Sequence, residues 1–226
     1  MKFAKFMVFA AVLGLATMIS SQASAAVYSY STTLLAWASD PVEPGDEFNA
    51  VPTFDKTFTL ESYTNFPDAQ QVTFFYNDIA DSYSVVLGAF GPGGLENLPT
   101  GVTHELEYNV EIDASVLKVF KSVDLDVIHF TDTTTATKTV HRDAARTLLA
   151  VPTLTSVNGS TDSEVFGGAL KKIWVTDTYL ASAGGSAFGL NNVFTQQGVP
   201  EPTTLALWGG MMGLGLLYNR RRAAKR

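Results

Sequence analysis

Three histidines and no cysteine are a thin set of reactive groups for a chain of 226 residues. Acyl, phosphoryl and glycosyl transfer need a nucleophile with a base beside it, or two groups able to exchange a proton, and no short stretch supplies either. His104 stands in His104-Glu105-Leu106-Glu107-Tyr108, which lacks the second histidine of a helical zinc motif. His104 and His129 both fall on the apolar side of their segments and would meet only through the fold, so a buried, hydrogen-bonded imidazole is expected for each. His141-Arg142-Asp143 shares its letters with a kinase catalytic loop, but Leu148 occupies the place of the metal-binding Asn and no Gly-rich loop follows a first strand. Gly88 to Gly94 reads as a turn, because no Gly-Lys-Ser/Thr opens a helix after it. These residues yield no catalytic residue and no resident cofactor.

Carboxylates offer more. Glu105, Glu107 and Glu111 share one face of a single segment, where a solvated rim is expected; as a glycoside-cleaving pair, two acids would have to stand about 5–10 Å apart in a cleft. Asp40, Glu43, Asp46 and Glu47 crowd one loop with Asp55 close behind, a set of hard oxygen ligands of the kind Ca²⁺ takes, although without EF-hand spacing. Trp37 and Trp174 are candidate stacking platforms for sugar rings if the fold leaves them exposed.

The elements that must position these groups read as strands. From Val102 to Asp113, apolar residues or His occupy the even positions and polar or acidic residues the odd ones, a period of two that sets one face on a core and the other in water. Shorter stretches rich in β-branched and aromatic residues follow the same logic: Val27 to Leu35, Phe54 to Leu60, Val72 to Tyr76, Tyr83 to Leu87, Val116 to Phe120, Leu125 to Phe130, Thr133 to Val140, Leu170 to Val175 and Ala187 to Thr195. Turn clusters separate them, among them Asp40-Pro41 through Gly45-Asp46, Gly91-Pro92-Gly93-Gly94, Asn158-Gly159-Ser160 and Gly184-Gly185-Ser186. The expectation is an all-β body, an antiparallel β-sandwich of jelly-roll or Ig-like type, with His141 to Ala150 as the one candidate for a short helix.

The two ends have a different character. Lys2 and Lys5 precede an apolar stretch from Phe6 to Ile19, and Ala23-Ser24-Ala25-Ala26 follows. That order predicts a secretory signal peptide over residues 1–25, cut by signal peptidase at a site formed by Ala23, Ala25 and Ala26; the apolar stretch is shorter than the ~20 residues of a stable membrane helix. At the other end Pro200-Glu201-Pro202 leads into an apolar run from Leu205 to Tyr218 and then Arg220-Arg221-Arg222, Lys225 and Arg226. The run predicts a marginal transmembrane helix, with the basic cluster as a cytoplasmic stop and the proline pair holding the preceding backbone extended. Removing both ends leaves 8 basic and 21 acidic residues in 26–199, a net charge of −13. A body this acidic repels nucleic-acid phosphates, so no nucleic-acid partner is expected.

Residues 199–226 resemble a PEP-CTERM sorting signal: Pro200, Glu201 and Pro202 match the tripeptide, Leu205 to Leu217 the Gly-interrupted helix, and the arginine cluster the basic end. The resemblance implies export across the inner membrane of a diderm bacterium, transient anchoring, recognition by an exosortase-type transpeptidase, and delivery of an acidic β-sandwich of residues 26–198 to the cell surface or an exopolysaccharide matrix. A structural or adhesive role in that matrix is the leading expectation. A carbohydrate-binding module and, behind it, a carboxylate-dependent glycoside-acting enzyme are the alternatives.

Overall fold

Alternating burial builds almost every element here. The computed structural model describes residues 27–43, 55–77, 80–88, 95, 98–131, 134–182 and 186–199; the signal-peptide residues and the 200–226 tail, including Ala23, Ala25, Ala26, Pro200, Glu201, Pro202, Arg220, Arg221, Arg222, Lys225 and Arg226, lie outside this set. Among the described residues are eleven strands and one short helix: β1 (Val27–Thr33), α1 (Leu34–Ser39), β2 (Lys56–Thr64), β3 (Gln71–Asn77), β4 (Ser82–Leu87), β5 (Thr103–Ile112), β6 (Lys118–Thr131), β7 (Thr134–His141), β8 (Leu154–Val157), β9 (Asp162–Val165), β10 (Lys172–Ala181) and β11 (Ser186–Gly198). Among them no helix is long and apolar enough to cross a membrane.

The strands form two antiparallel sheets, one ordered β1-β3-β4-β11-β6-β9 and the other β2-β5-β10-β7-β8. In β7 and β10 every second residue is buried, which commits one face of each to the space between the sheets. That space is filled by rings: Phe58 packs on Phe74 at 5.2 Å, Tyr76 on Tyr83 at 4.6 Å, and Phe194 edge-on to both Tyr108 and Phe120 at 6.4 and 6.3 Å. The chain is an all-β sandwich.

Four departures from the sequence reading have local causes. The stretch read as a strand to Leu35 stops at Thr33, whose hydroxyl accepts from the Ala36 amide at 3.2 Å and caps α1; the helix then drives Leu34 and Trp37 into the core. Val116 to Phe120 and Leu125 to Phe130 are not two strands: residues 118–120 and 125–130 belong to one long strand, β6, which Val116 and Leu117 precede. A bulge at its pairing with β11, where Thr195 faces Ser122 but Gln196 faces Phe120, leaves Lys121 as the extra residue and breaks the period of two. Residues 142–150 are not helical. The Asp143 carboxylate instead gathers the amides of Thr147 and Leu148 and the Thr147 hydroxyl at 3.2, 2.8 and 2.7 Å, and Arg146 sits at φ +53°. The short strands β8 and β9 are too brief to show a period, and Asn158-Gly159, both at positive φ, turn the chain from one sheet to the other between them.

A buried polar network ties the start of β2 to the opposite sheet. Lys56 donates to the Asp55 carboxylate and to the Gln196 side-chain carbonyl, and its ammonium lies 4.2 Å from the Tyr83 ring centre. Tyr83 donates to Asp55 at 2.8 Å, while Lys118 stands 3.3 Å from Asp55 and 3.1 Å from Asp81. Burial opposes the charge on Asp55, but Lys56, Tyr83 and Lys118 hold its pKa below the ordinary carboxylate value. Asp55 is thus committed to this network rather than offered to a loop cation. Burial also pulls Lys56 down to about 8 against the attraction of Asp55.

The sign of the Lys56 effect follows from proton counts. Below about pH 8 the lysine is charged in both folded and unfolded chains and the full burial penalty stands. Between about 8 and the ordinary value of 10.5 the unfolded chain holds the extra proton, so stability rises with pH. Denaturant titrations from pH 7.5 to 10 are expected to show a rise in the native chain, and Lys56→Met to show one smaller by up to about 3 kcal/mol.

Candidate functional site

The outward-facing side chains of the five-stranded sheet make a surface unlike a generic solvated face. Across adjacent strands, Thr59, Asn109, Trp174 and His141 form one row, and Ser62, Glu107, Thr176 and Thr139 the next. A third row holds Thr64, Glu105, Thr178, Thr137 and Thr155, with the Thr137 and Thr178 hydroxyls 2.5 Å apart. Threonine suits a strand, and its hydroxyl leaves the outer face polar.

Trp174 reaches this face because β10 alternates strictly, with Ile173 and Val175 buried on either side of it. It is half-buried, with Lys172 5.5 Å from its ring centre; Lys172 also donates to Glu111 at 2.6 Å. Asn109 is buried although it points outward, because the 142–150 loop that follows β7 reaches over β10 and β5. From that loop Arg146 pairs with Glu61 on β2 at 2.8 Å and with Glu107 on β5 at 3.5 Å. Glu61 in turn accepts from the Asn109 amide at 2.9 Å, and Glu107 accepts from Ser62 at 2.7 Å and from Thr176 at 3.4 Å. Glu61 is free to do this because the β2–β5 register shifts between Leu60 and Ser62, turning it out of the ladder. On the other side of Trp174, partial burial and then Arg146 lower the His141 pKa despite Asp143, which leaves a neutral imidazole whose Nδ1 has no hydrogen-bond partner. Leu148 and Leu149 on the same loop are exposed.

Chemically the face combines one aromatic plane, fixed carboxylates, an amide, an imidazole and rows of hydroxyls. Such a surface can stack on the apolar side of a flat ring while exchanging hydrogen bonds around its edge.

Of the groups singled out by sequence, Trp174, Glu105, Glu107 and Glu111 come together here. Trp37 does not: it is 1% exposed, donates to the Phe58 carbonyl at 2.9 Å and packs on Phe74 and Tyr108, so it is core and no platform. His104 is buried with its nitrogens against the carbonyls of Asn65 at 2.8 Å and Pro99 at 3.2 Å. His129 lies on β6 in the other sheet, and its side chain is outside the described set. Asp46 and Glu47 of the candidate calcium loop are likewise outside it, and among the described residues no three metal-ligating side chains gather. Sequence reasoning missed Asn109, Glu61, His141 and Arg146. Asn109 alone left a signal, as the one amide in a run of outward acids.

No family model and no curated protein matches the chain. Similar solved structures include TmCBM27, described as a carbohydrate-binding module with specific mannan recognition, at 7% identity and TM-score 0.34 over 78% of this chain and 100% of that one. TmCBM61 in complex with β-1,4-galactotriose is 8% identical, TM-score 0.29, over 70% and 99%. The K1 cleaved adhesin domain of Lys-gingipain from Porphyromonas gingivalis W83 is 11% identical, TM-score 0.28, over 76% and 99%. TM-scores this low equate neither the strand paths nor the surfaces.

The two tryptophans should separate cleanly. Trp37→Ala is expected to lower stability by about 3–5 kcal/mol, and Trp174→Ala by less than about 1 kcal/mol, both read from urea denaturation of the same preparation.

Proposed function

We propose that residues 26–198 form an exported, non-catalytic carbohydrate-binding sandwich that takes a polysaccharide chain on the outer face of the five-stranded sheet. The observation that carries this is Trp174, half-exposed between Asn109 and His141 and bordered by the Glu61–Arg146–Glu107 clamp and the threonine rows. A sugar ring offers an apolar face to the indole and equatorial hydroxyls to the amide and carboxylates; most of these partners are already held by neighbours and lose little freedom on binding. Binding is preferred to cleavage because Glu61 and Glu107 are both engaged by Arg146 instead of standing apart as a protonated acid and a free base. The −13 charge of the body favours a neutral or cation-associated polymer over an anionic one.

Titration against neutral glycans and bacterial exopolysaccharide, followed by tryptophan fluorescence and calorimetry, is expected to show saturable binding that Trp174→Ala weakens tenfold or more, a loss of about 1.4 kcal/mol. Binding indifferent to Trp174→Ala, or silence across a broad panel, would overturn the assignment.

The destination is part of the same proposal. The Ala23-Ser24-Ala25-Ala26 site directs signal-peptidase cleavage, and the 199–226 tail hands the body to an exosortase-type enzyme that acts near Pro200-Glu201-Pro202 after the helix has paused in the inner membrane. Deleting 199–226 is expected to change retention at the cell surface, measured by fractionation and immunoblotting; an unchanged distribution would refute the sorting role while leaving the binding face untouched.

A further inference from the structure

The interior of the sandwich contains a polar cluster that neither the binding face nor the Lys56 network uses. Lys138 on β7 and Asp177 on β10 are direct cross-strand partners on the inner face of the five-stranded sheet, exposed 0% and 1%. Across from them Asn192, exposed 0%, is inward-facing on β11 between Leu190 and Phe194. The ladder neighbours of the three are apolar: Leu106 and Leu154 on one sheet, Val85 and Leu125 on the other.

Nothing about this cluster is settled as an ion pair. The Lys138 amine is 3.9 Å from the nearer Asp177 oxygen, beyond hydrogen-bond reach, and 4.6 Å from the ring centre of Phe194, the next inward residue after Asn192. Lys138 Nζ, both Asp177 oxygens, both polar atoms of the Asn192 amide and the Tyr108 hydroxyl are all buried without a hydrogen bond of ordinary geometry. Tyr108 and Asn192 nevertheless face the Asp177 carboxyl closely enough to act on it. A native core rarely leaves this many polar atoms unmatched, and each costs on the order of 1–3 kcal/mol while it remains so.

We propose that Lys138 and Asn192 become joined by an isopeptide bond, with Asp177 as the proton-transferring catalytic residue. In the reaction the neutral Lys138 amine attacks the Asn192 side-chain carbonyl carbon, forming the new C–N bond. The Asp177 carboxylic acid protonates the carbonyl oxygen as the tetrahedral intermediate forms, then carries the proton released by the lysine nitrogen to the departing amide nitrogen. The old C–N bond breaks and ammonia leaves; as the carbonyl re-forms, its oxygen returns the first proton to Asp177, which is again the carboxylic acid. One amine and one primary amide give one secondary amide and one ammonia, and no oxidant or energy source is consumed.

Burial prepares both participants. It pulls Lys138 down to about 8, against Asp177 and Asp124, and pushes Asp177 up despite Lys138, Tyr108 and Asn192, so each is biased toward the neutral form the reaction needs. The Lys56 site makes an instructive contrast. There Asp55 is held ionised by Lys56, Tyr83 and Lys118, and has no proton to give. The product would remove the unmatched amine and amide together and covalently staple the two sheets of a chain that has no cysteine for the purpose.

The test is tryptic peptide mapping of the folded full-length protein. The expected result is resistance to cleavage after Lys138 and a branched species joining its peptide to the one carrying Asn192, lighter than the sum by about 17 Da for lost ammonia. In Asp177→Ala, and separately in Lys138→Met, the branched species is expected to vanish. Recovery of two linear peptides of full mass from the native chain overturns the proposal, and needs no variant to fold. A link to Asp177 with loss of water, about 18 Da, would also overturn it, because Asn192 would then not be the acceptor.

Discussion

Two apolar faces that exclude water from between them carry this molecule, because the chain has no cysteine and the described residues gather no metal cluster. Trp37, Phe58, Phe74, Tyr76, Tyr83, Tyr108, Phe120 and Phe194 fill that layer, and each is exposed 2% or less. Burying a ring of this size removes roughly 150–250 Å² from water, so a handful of such residues accounts for much of the drive that opposes chain entropy. Everything functional is subordinate to this contact. Trp174 is available outside only because Ile173 and Val175 are committed inside.

The same constraint explains where polar groups were admitted to the interior and what form they take. At the Lys56 site the admitted charges are matched, so the cluster works as a polar clasp between sheets at the start of β2. At Lys138 the charges are not matched, and the surroundings favour neutral species. Two lysines in one core thus meet different fates according to how many partners surround the nearby carboxylate.

Much of the fold was legible because period-two alternation is a direct imprint of the sheet contact. The Val102 to Asp113 segment shows it most plainly, with Leu106, Tyr108, Val110 and Ile112 buried and Glu105, Glu107 and Glu111 facing out. Legibility failed where one residue was added to the ladder, as at Lys121, or where a strand was too short to count, as in β9. The candidate face was half legible. Trp174 and Glu107 could be proposed from type and position, but Arg146 owes its place to a loop at positive φ that reaches across two strands, and no local pattern encodes that reach. Trp37 misled for the opposite reason, since a helix only six residues long turned an apparently exposed aromatic into the core.

Sheet order also fixes how the body would carry mechanical load. Three antiparallel steps separate β1 from β11, so the start of β1 and the end of β11 lie at the same end of their sheet. The Val199 amide is still held by the Leu117 carbonyl at 2.7 Å where the chain leaves β11. β11 is paired on both sides, with β4 and along nearly all of β6. A pull applied at residue 199 along the strand therefore loads both ladders in shear, with many hydrogen bonds resisting together instead of opening one after another. Tethered from that point, the sandwich would present its most force-resistant strand to the tether and leave the Trp174 face unburdened on the other sheet.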